Sequence, residues 1–139
     1  MQIDPPGRPE FAALDVVVVD DDAFMLKVLE KSLLRLGVTR VRLCATAPEA
    51  LGTVDALDGA KALLVCDLNM PDMDGVEFIK AIAQRKFAGA VLILSGADAT
   101  VRGAAAHLAL AYGVNLVGTY EKPLALDRLA DALGAALEG

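Results

Sequence analysis

The chain alternates between unbroken apolar runs and stretches whose apolar residues recur at helical spacing. "DVVVVD" (15–20) is a continuous β-branched run, the pattern of a strand buried on both faces. From Ala23 the period changes: Met25, Val28, Leu29, Leu33 and Leu36 follow helical spacing, and Gly37 supplies the stop. "VTRVRLCA" (38–45) alternates as a half-buried strand does, and Thr46 with Glu49 makes a T-x-x-E capping box for a helix through about Leu57. "ALLVCD" (62–67) is the next apolar strand, after which Asp74 and Glu77 open a helix to about Gln84. "AVLILS" (90–95) is again wholly apolar. The alanine-rich stretch 100–112 puts Val101, Ala105, Leu108 and Tyr112 on one helical face, ended by Gly113. "NLVGTY" (115–120) is the last strand, and Leu126, Leu129, Ala130, Leu133 and Leu137 form the stripe of the last helix.

Strand and helix thus alternate five times with short connections, which predicts an α/β protein: a parallel sheet, helices on both faces, right-handed crossovers. A length of 139 residues suits one domain, and 55% hydrophobic with 23% charged residues is globular. Residues 1–13, with three prolines and a glycine, read as a flexible lead-in, and 138–139 as a tail, with a cloning remnant as one source. The net charge of −6 argues against an electrostatic grip on nucleic acid or anionic lipid. No run reaches the roughly 18 apolar residues of a membrane span, and the start lacks a secretory pattern, so the expected compartment is the cytoplasm. Two cysteines, Cys44 and Cys66, fit that reducing compartment and read as small buried hydrophobes.

In parallel sheets, ligands sit outside the C-terminal ends of the strands. After the first apolar run come Asp20, Asp21 and Asp22; after the third, Asp67; after the fourth, Ser95 and Gly96; after the fifth, Lys122 and Pro123. The second strand, placed at the sheet edge, ends without an obvious reactive group. Singly, each residue has a structural explanation: a helix cap for an aspartate (the preferred reading of Asp22), a turn for the serine, solvated surface for the lysine. Together they converge on one rim. Two carboxylates about 4 Å apart repel by about 4 kcal/mol at an effective dielectric near 20. Asp20, Asp21 and Asp67 therefore call for a cation. All-oxygen ligation suits Mg²⁺, which commonly completes its shell with a phosphate. A lysine and a hydroxyl suit phosphate oxygens, and a carboxylate can itself be a nucleophile, giving an aspartyl-phosphate.

The segments "VVVVDDD", "VCDLNMPDMDG", "LILSG" and "EKPL", in that order and spacing, resemble the receiver domains of two-component response regulators over about residues 14–137. The resemblance implies a flavodoxin-like fold, a five-stranded parallel sheet in the order 2-1-3-4-5. It implies that Asp67 accepts a phosphoryl group from the phosphohistidine of a sensor histidine kinase or phosphotransfer protein. Asp20 and Asp21, with Asp67 and the backbone carbonyl of Asn69, would hold Mg²⁺. Ser95 would hydrogen-bond the phosphoryl group, Lys122 would pair with it, and the Lys122–Pro123 bond would be cis. Met70 and Pro71 would shape the loop below the site, with Asp72 and Asp74 outside it. Such a domain catalyses only its own phosphorylation and dephosphorylation. One position departs from the family: where a Tyr or Phe commonly stands three residues before the lysine, this chain has Thr119, with Tyr120 one place later. The expectation is that the aromatic switch is absent and the signal travels through a rearrangement of the fourth helix. "GVNLVGTYEKPL" also resembles receivers attached to cyclic-di-GMP phosphodiesterase domains, which implies a fused or separate output of that type. The family further implies a homodimer through the fourth helix, fifth strand and fifth helix.

Two other readings compete. "VVVVDDDAF" superficially fits the D-x-D motif of haloacid-dehalogenase-type phosphatases, with Asp20 as nucleophile and Asp22 as general acid, but it leaves "DLNMPDMDG" unexplained. The other is a receiver-shaped interaction module that never takes phosphate. His107, the lone histidine, reads as surface or packing.

Overall fold

The computed structural model describes residues 8–57, 61–68, 70, 74–96 and 99–138. Five strands, β1 (Asp15–Val19), β2 (Arg40–Cys44), β3 (Ala62–Asp67), β4 (Ala90–Ser95) and β5 (Asn115–Glu121), pair in the order β2-β1-β3-β4-β5. All four pairings are parallel. The connecting helices are α1 (Ala23–Leu36), α2 (Ala47–Ala56), α3 (Gly75–Gln84), α4 (Ala99–Ala111) and α5 (Leu126–Glu138). The parallel sheet covered on both faces is the one the apolar pattern predicts, and the strand order is the one the family resemblance implies.

The apolar runs occupy the middle of the sheet because both of their faces are covered. Every residue of β3 and β4 is buried, as is all of β1 after Asp15. One face, built on Val17, Leu64, Cys66, Val91 and Ile93, packs against α2, α3 and α4; the other, built on Val16, Val18, Leu63, Val65 and Leu92, packs against α1 and α5. β2 and β5 are the edges. On β2, exposed Arg40 and Arg42 pair with Asp15 at 3.3 and 3.0 Å, charges that discourage a further strand from adding there.

Helix ends follow local chemistry. Asp22 caps α1 by accepting from the Phe24 N–H at 2.9 Å, Thr46 caps α2, and Asp74 caps α3 by accepting from Val76 at 2.8 Å. The buried stripes differ in part from those expected. On α1 the buried residues are Leu26, Leu29, Leu33 and Leu36, while Met25 is half-buried and Val28 exposed. On α4, Ala105 and Ala109 face the sheet, and Tyr112 is exposed. Alanines let that helix lie close, so the larger side chains fall to its flanks.

Of the expected lead-in, residues 1–7 lie outside the described residues, while residues 8–13 depart from the expectation. Pro9–Ala13 forms a 3-10 helix, and Phe11 and Leu14 are fully buried in the α1–α5 cluster. Proline at the start presets the backbone, and the Arg8 N–H donates to the Leu36 carbonyl at 3.0 Å. The chain is therefore part of the fold from Arg8 onward. β5 carries a second unexpected feature, a bulge. Leu116 pairs with Val91 and Gly118 with Leu92, which leaves Val117 as an extra residue and reverses the facing of everything after it.

Candidate functional site

Register brings the site together. Val19 at the end of β1 pairs with Cys66, so Asp20, one residue on, stands level with Asp67. Asp67 pairs with Leu94, and the ladder continues past the strands through Leu68 N–H to Leu94 O (3.0 Å) and Lys122 N–H to Ser95 O (2.9 Å). Four strand ends thereby present their first polar residues on one rim. Among the described residues, Asp20, Asp67 and Ser95 are the buried polar or charged side chains, exposed by 1%, 4% and 1%. Polar groups at such depth are costly unless satisfied, and no buried side-chain nitrogen or oxygen among the described residues lacks a partner.

Lys122 supplies much of that satisfaction. Its ammonium lies 2.9 Å from Asp67 Oδ2 and 3.1 Å from Asp20 Oδ2. Asp20 Oδ1 also accepts from the Asp22 N–H at 2.9 Å. Burial raises the Asp20 carboxyl above its ordinary value; the Asp22 N–H works against this, the Asp67 charge adds to it, and Lys122 opposes it again. Burial alone would lower the Lys122 ammonium, but hydrogen bonds to Asp67 and Asp20 outweigh it, and the net shift is upward. The Lys122–Pro123 peptide bond is cis.

Asp21, exposed, completes an acidic cluster: Asp20, Asp21 and Asp67 each offer a carboxylate oxygen, all within 4.8 Å of one another. Three carboxylates against one ammonium leave a formal charge of −2 in this group. Hard oxygen donors and that deficit fit a divalent cation such as Mg²⁺. Asn69, the remaining expected ligand, and Asp72 lie outside the described residues.

Several sequence-predicted residues have other duties. Asp22 and Asp74 cap helices, which leaves the phosphatase reading without its general acid. His107 is exposed on α4. Burial pushes the Cys66 thiol far up and raises that of Cys44, so both behave as buried apolar groups. Tyr120 belongs to the α1–α5 cluster; its ring lies over Gly118, where a Cβ would come within 2.6 Å of it. Thr119 pairs with Ile93 on the facing of β4 that packs against the α4 side. The site also contains a residue that the sequence pattern does not single out. Arg102 on α4 donates from Nη1 to Ser95 Oγ at 3.3 Å and to the Gly96 carbonyl at 2.9 Å. The available signal was an arginine in the first turn of an alanine-rich helix.

A parallel 2-1-3-4-5 sheet with an acidic cluster and a lysine at its C-terminal rim defines a class of phosphate-handling signalling domains. Residues 16–134 match the response regulator receiver domain family, and the chain belongs to it. A chemotaxis protein CheY homologue of Campylobacter jejuni is 30% identical over 126 residues, covering 87% of this chain and 93% of that protein. The cyclic di-GMP phosphodiesterase RocR of Pseudomonas aeruginosa is 27% identical over 120 residues, covering 86% of this chain but only 30% of that protein's length. Among solved structures, a response regulator from Colwellia psychrerythraea superposes with a TM-score of 0.73 at 28% identity, over 87% of this chain and 94% of that one. Among the described residues, no helix is long and apolar enough to cross a membrane.

Proposed function

We propose that residues 14–137 form a cytoplasmic phosphoacceptor domain in which Asp67 takes a phosphoryl group from a phosphohistidine on a kinase or phosphotransfer partner. The observation that carries this reading is the meeting of Asp20, Asp21 and Asp67 within 4.8 Å, with Lys122 on Asp67 at 2.9 Å. An Asp67 carboxylate oxygen attacks phosphorus; the oxygen–phosphorus bond forms as the nitrogen–phosphorus bond breaks, and the histidine nitrogen leaves with the electron pair. Asp20, Asp21 and Asp67, with the Asn69 carbonyl that the family resemblance implies, would hold Mg²⁺, which would supply charge neutralisation. Lys122 keeps a positive charge against the transferring oxygens, and Ser95 donates a hydrogen bond to one of them. Beyond forming and losing its own acyl phosphate the domain is not an enzyme.

Phosphorylation adds about −1.5 to −2 of charge at this rim, enough to bias a two-state neighbouring element. With Tyr120 in the α1–α5 cluster, the reading assigns that role to α4. Leu110, 71% exposed near the end of α4, supports the α4–β5–α5 face as the surface for a second copy or an output partner. The cyclic-di-GMP phosphodiesterase output rests on the RocR likeness alone. Intact mass after incubation with acetyl phosphate and Mg²⁺ tests the proposal. One phosphoryl group should be added to wild type, and none with EDTA or in Asp67→Asn. A wild-type protein that stays unmodified with both reagents present would make it a silent interaction module.

A further inference from the structure

Arg102 is half-buried, and its head group reaches back from α4 to the phosphoacceptor rim. The Gly96 carbonyl accepts from Arg102 Nη1 at 2.9 Å and from Ser95 Oγ at 3.2 Å, while Ser95 Oγ itself accepts from Nη1 at 3.3 Å. The three groups form a closed triangle. Arg102 stands in the first turn of α4, where the helix dipole disfavours a cation, and none of residues 99–102 is acidic.

The triangle conflicts with a phosphoryl group on Asp67. A serine hydroxyl has one proton, so it cannot donate to both the Gly96 carbonyl and a phosphoryl oxygen. Lys122 is already shared between Asp20 and Asp67, so a phosphoryl group there competes with both carboxylates for its ammonium. A guanidinium carries five donors in a fork that matches phosphoryl oxygens, and Nη1 is already at the hydroxyl that must turn. We propose that Arg102 couples the state of Asp67 to α4. In the unmodified form it holds the Ser95 hydroxyl on the Gly96 carbonyl. In the phosphorylated form its guanidinium turns to the phosphoryl oxygens and draws the first turn of α4 with it. The inference rests on the phosphoacceptor reading and adds a second cationic contact to it.

The test uses beryllofluoride with Mg²⁺ as the phosphoryl mimic on wild type, Arg102→Ala and Arg102→Gln, reading affinity by calorimetry and α4 by amide hydrogen exchange. Wild type should bind the mimic and change its exchange across α4. Arg102→Ala should bind about tenfold more weakly, the worth of one charge-assisted hydrogen bond. At saturation it should show no α4 response, while exchange in β4 stays as in wild type. Arg102→Gln keeps a donor for the Gly96 carbonyl but loses the charge; it carries the same expectation if the alanine variant fails to fold. Wild-type affinity together with an intact α4 response in either folded variant would overturn the role of Arg102 alone. A wild type that takes neither beryllofluoride nor phosphoryl from acetyl phosphate would overturn the phosphoacceptor reading, and this inference with it.

Discussion

Asp20 is held by two donors, the Asp22 N–H at 2.9 Å and the Lys122 ammonium at 3.1 Å, yet burial still raises its carboxyl above the ordinary range. A raised folded value means that the folded state binds this proton more tightly than the unfolded chain does. The stability that the group contributes is present below its unfolded value and is lost as pH rises through the folded one. Near neutral pH, without a divalent cation, ionised Asp20 therefore works against the fold. Asp20→Asn removes the charge and keeps an oxygen for the Asp22 N–H, while Lys122 retains Asp67. In EDTA near neutral pH the variant should melt a few degrees above wild type, and the gap should close as pH falls toward the ordinary carboxylate range. Mg²⁺ should stabilise wild type and not the variant. A variant that melts lower, or a gap indifferent to pH, would refute this account of the site's electrostatics. The residue types at this rim were legible in the sequence because each follows an apolar run. Arg102 was not, because it reaches the rim from within a helix, and only the fold shows where its side chain goes.

At the level of elements, the junction between α1 and β2 shows how the N-terminal segment is built in. Gly37 adopts φ 111°, a left-handed conformation, and a Cβ there would come within 2.7 Å of the Arg8 carbonyl oxygen. Gly37→Ala combines backbone strain with that clash, and should destabilise by about 1–3 kcal/mol, measured as a lower urea midpoint. An alanine variant of wild-type stability would show that the Arg8–Leu36 contact is dispensable. The glycine was readable as a helix stop, but its close approach was not, since the lead-in's composition concealed the buried Phe11. The bulge in β5 was hidden for a similar reason. Val117 looks like any β residue, and the skipped pairing opposite Leu92 depends on how β4 and β5 dock. That single extra residue places Tyr120 with α1 and α5. The continuous runs of β1, β3 and β4 were the easiest elements to read, because burial on both faces leaves no alternation to misjudge.

For the whole molecule, the parallel order β2-β1-β3-β4-β5 places the C-terminal ends of β1, β3, β4 and β5 beside one another, and so collects residues from Asp20 to Lys122. The family relationship agrees with that arrangement over residues 16–134. The chain spans 30% of the length of the phosphodiesterase it resembles and 93% of the chemotaxis protein. The central claim is that Asp67, and not Asp20, is the nucleophile. It is tested most directly by phosphorylating the protein with acetyl phosphate and Mg²⁺, trapping the acyl phosphate with borohydride, and mapping the reduced residue by peptide mass spectrometry. Reduction at position 67 and at no other aspartate is the expected result. Reduction at position 20, with position 67 untouched, would contradict the account and make the protein a phosphatase-like enzyme built on the same rim.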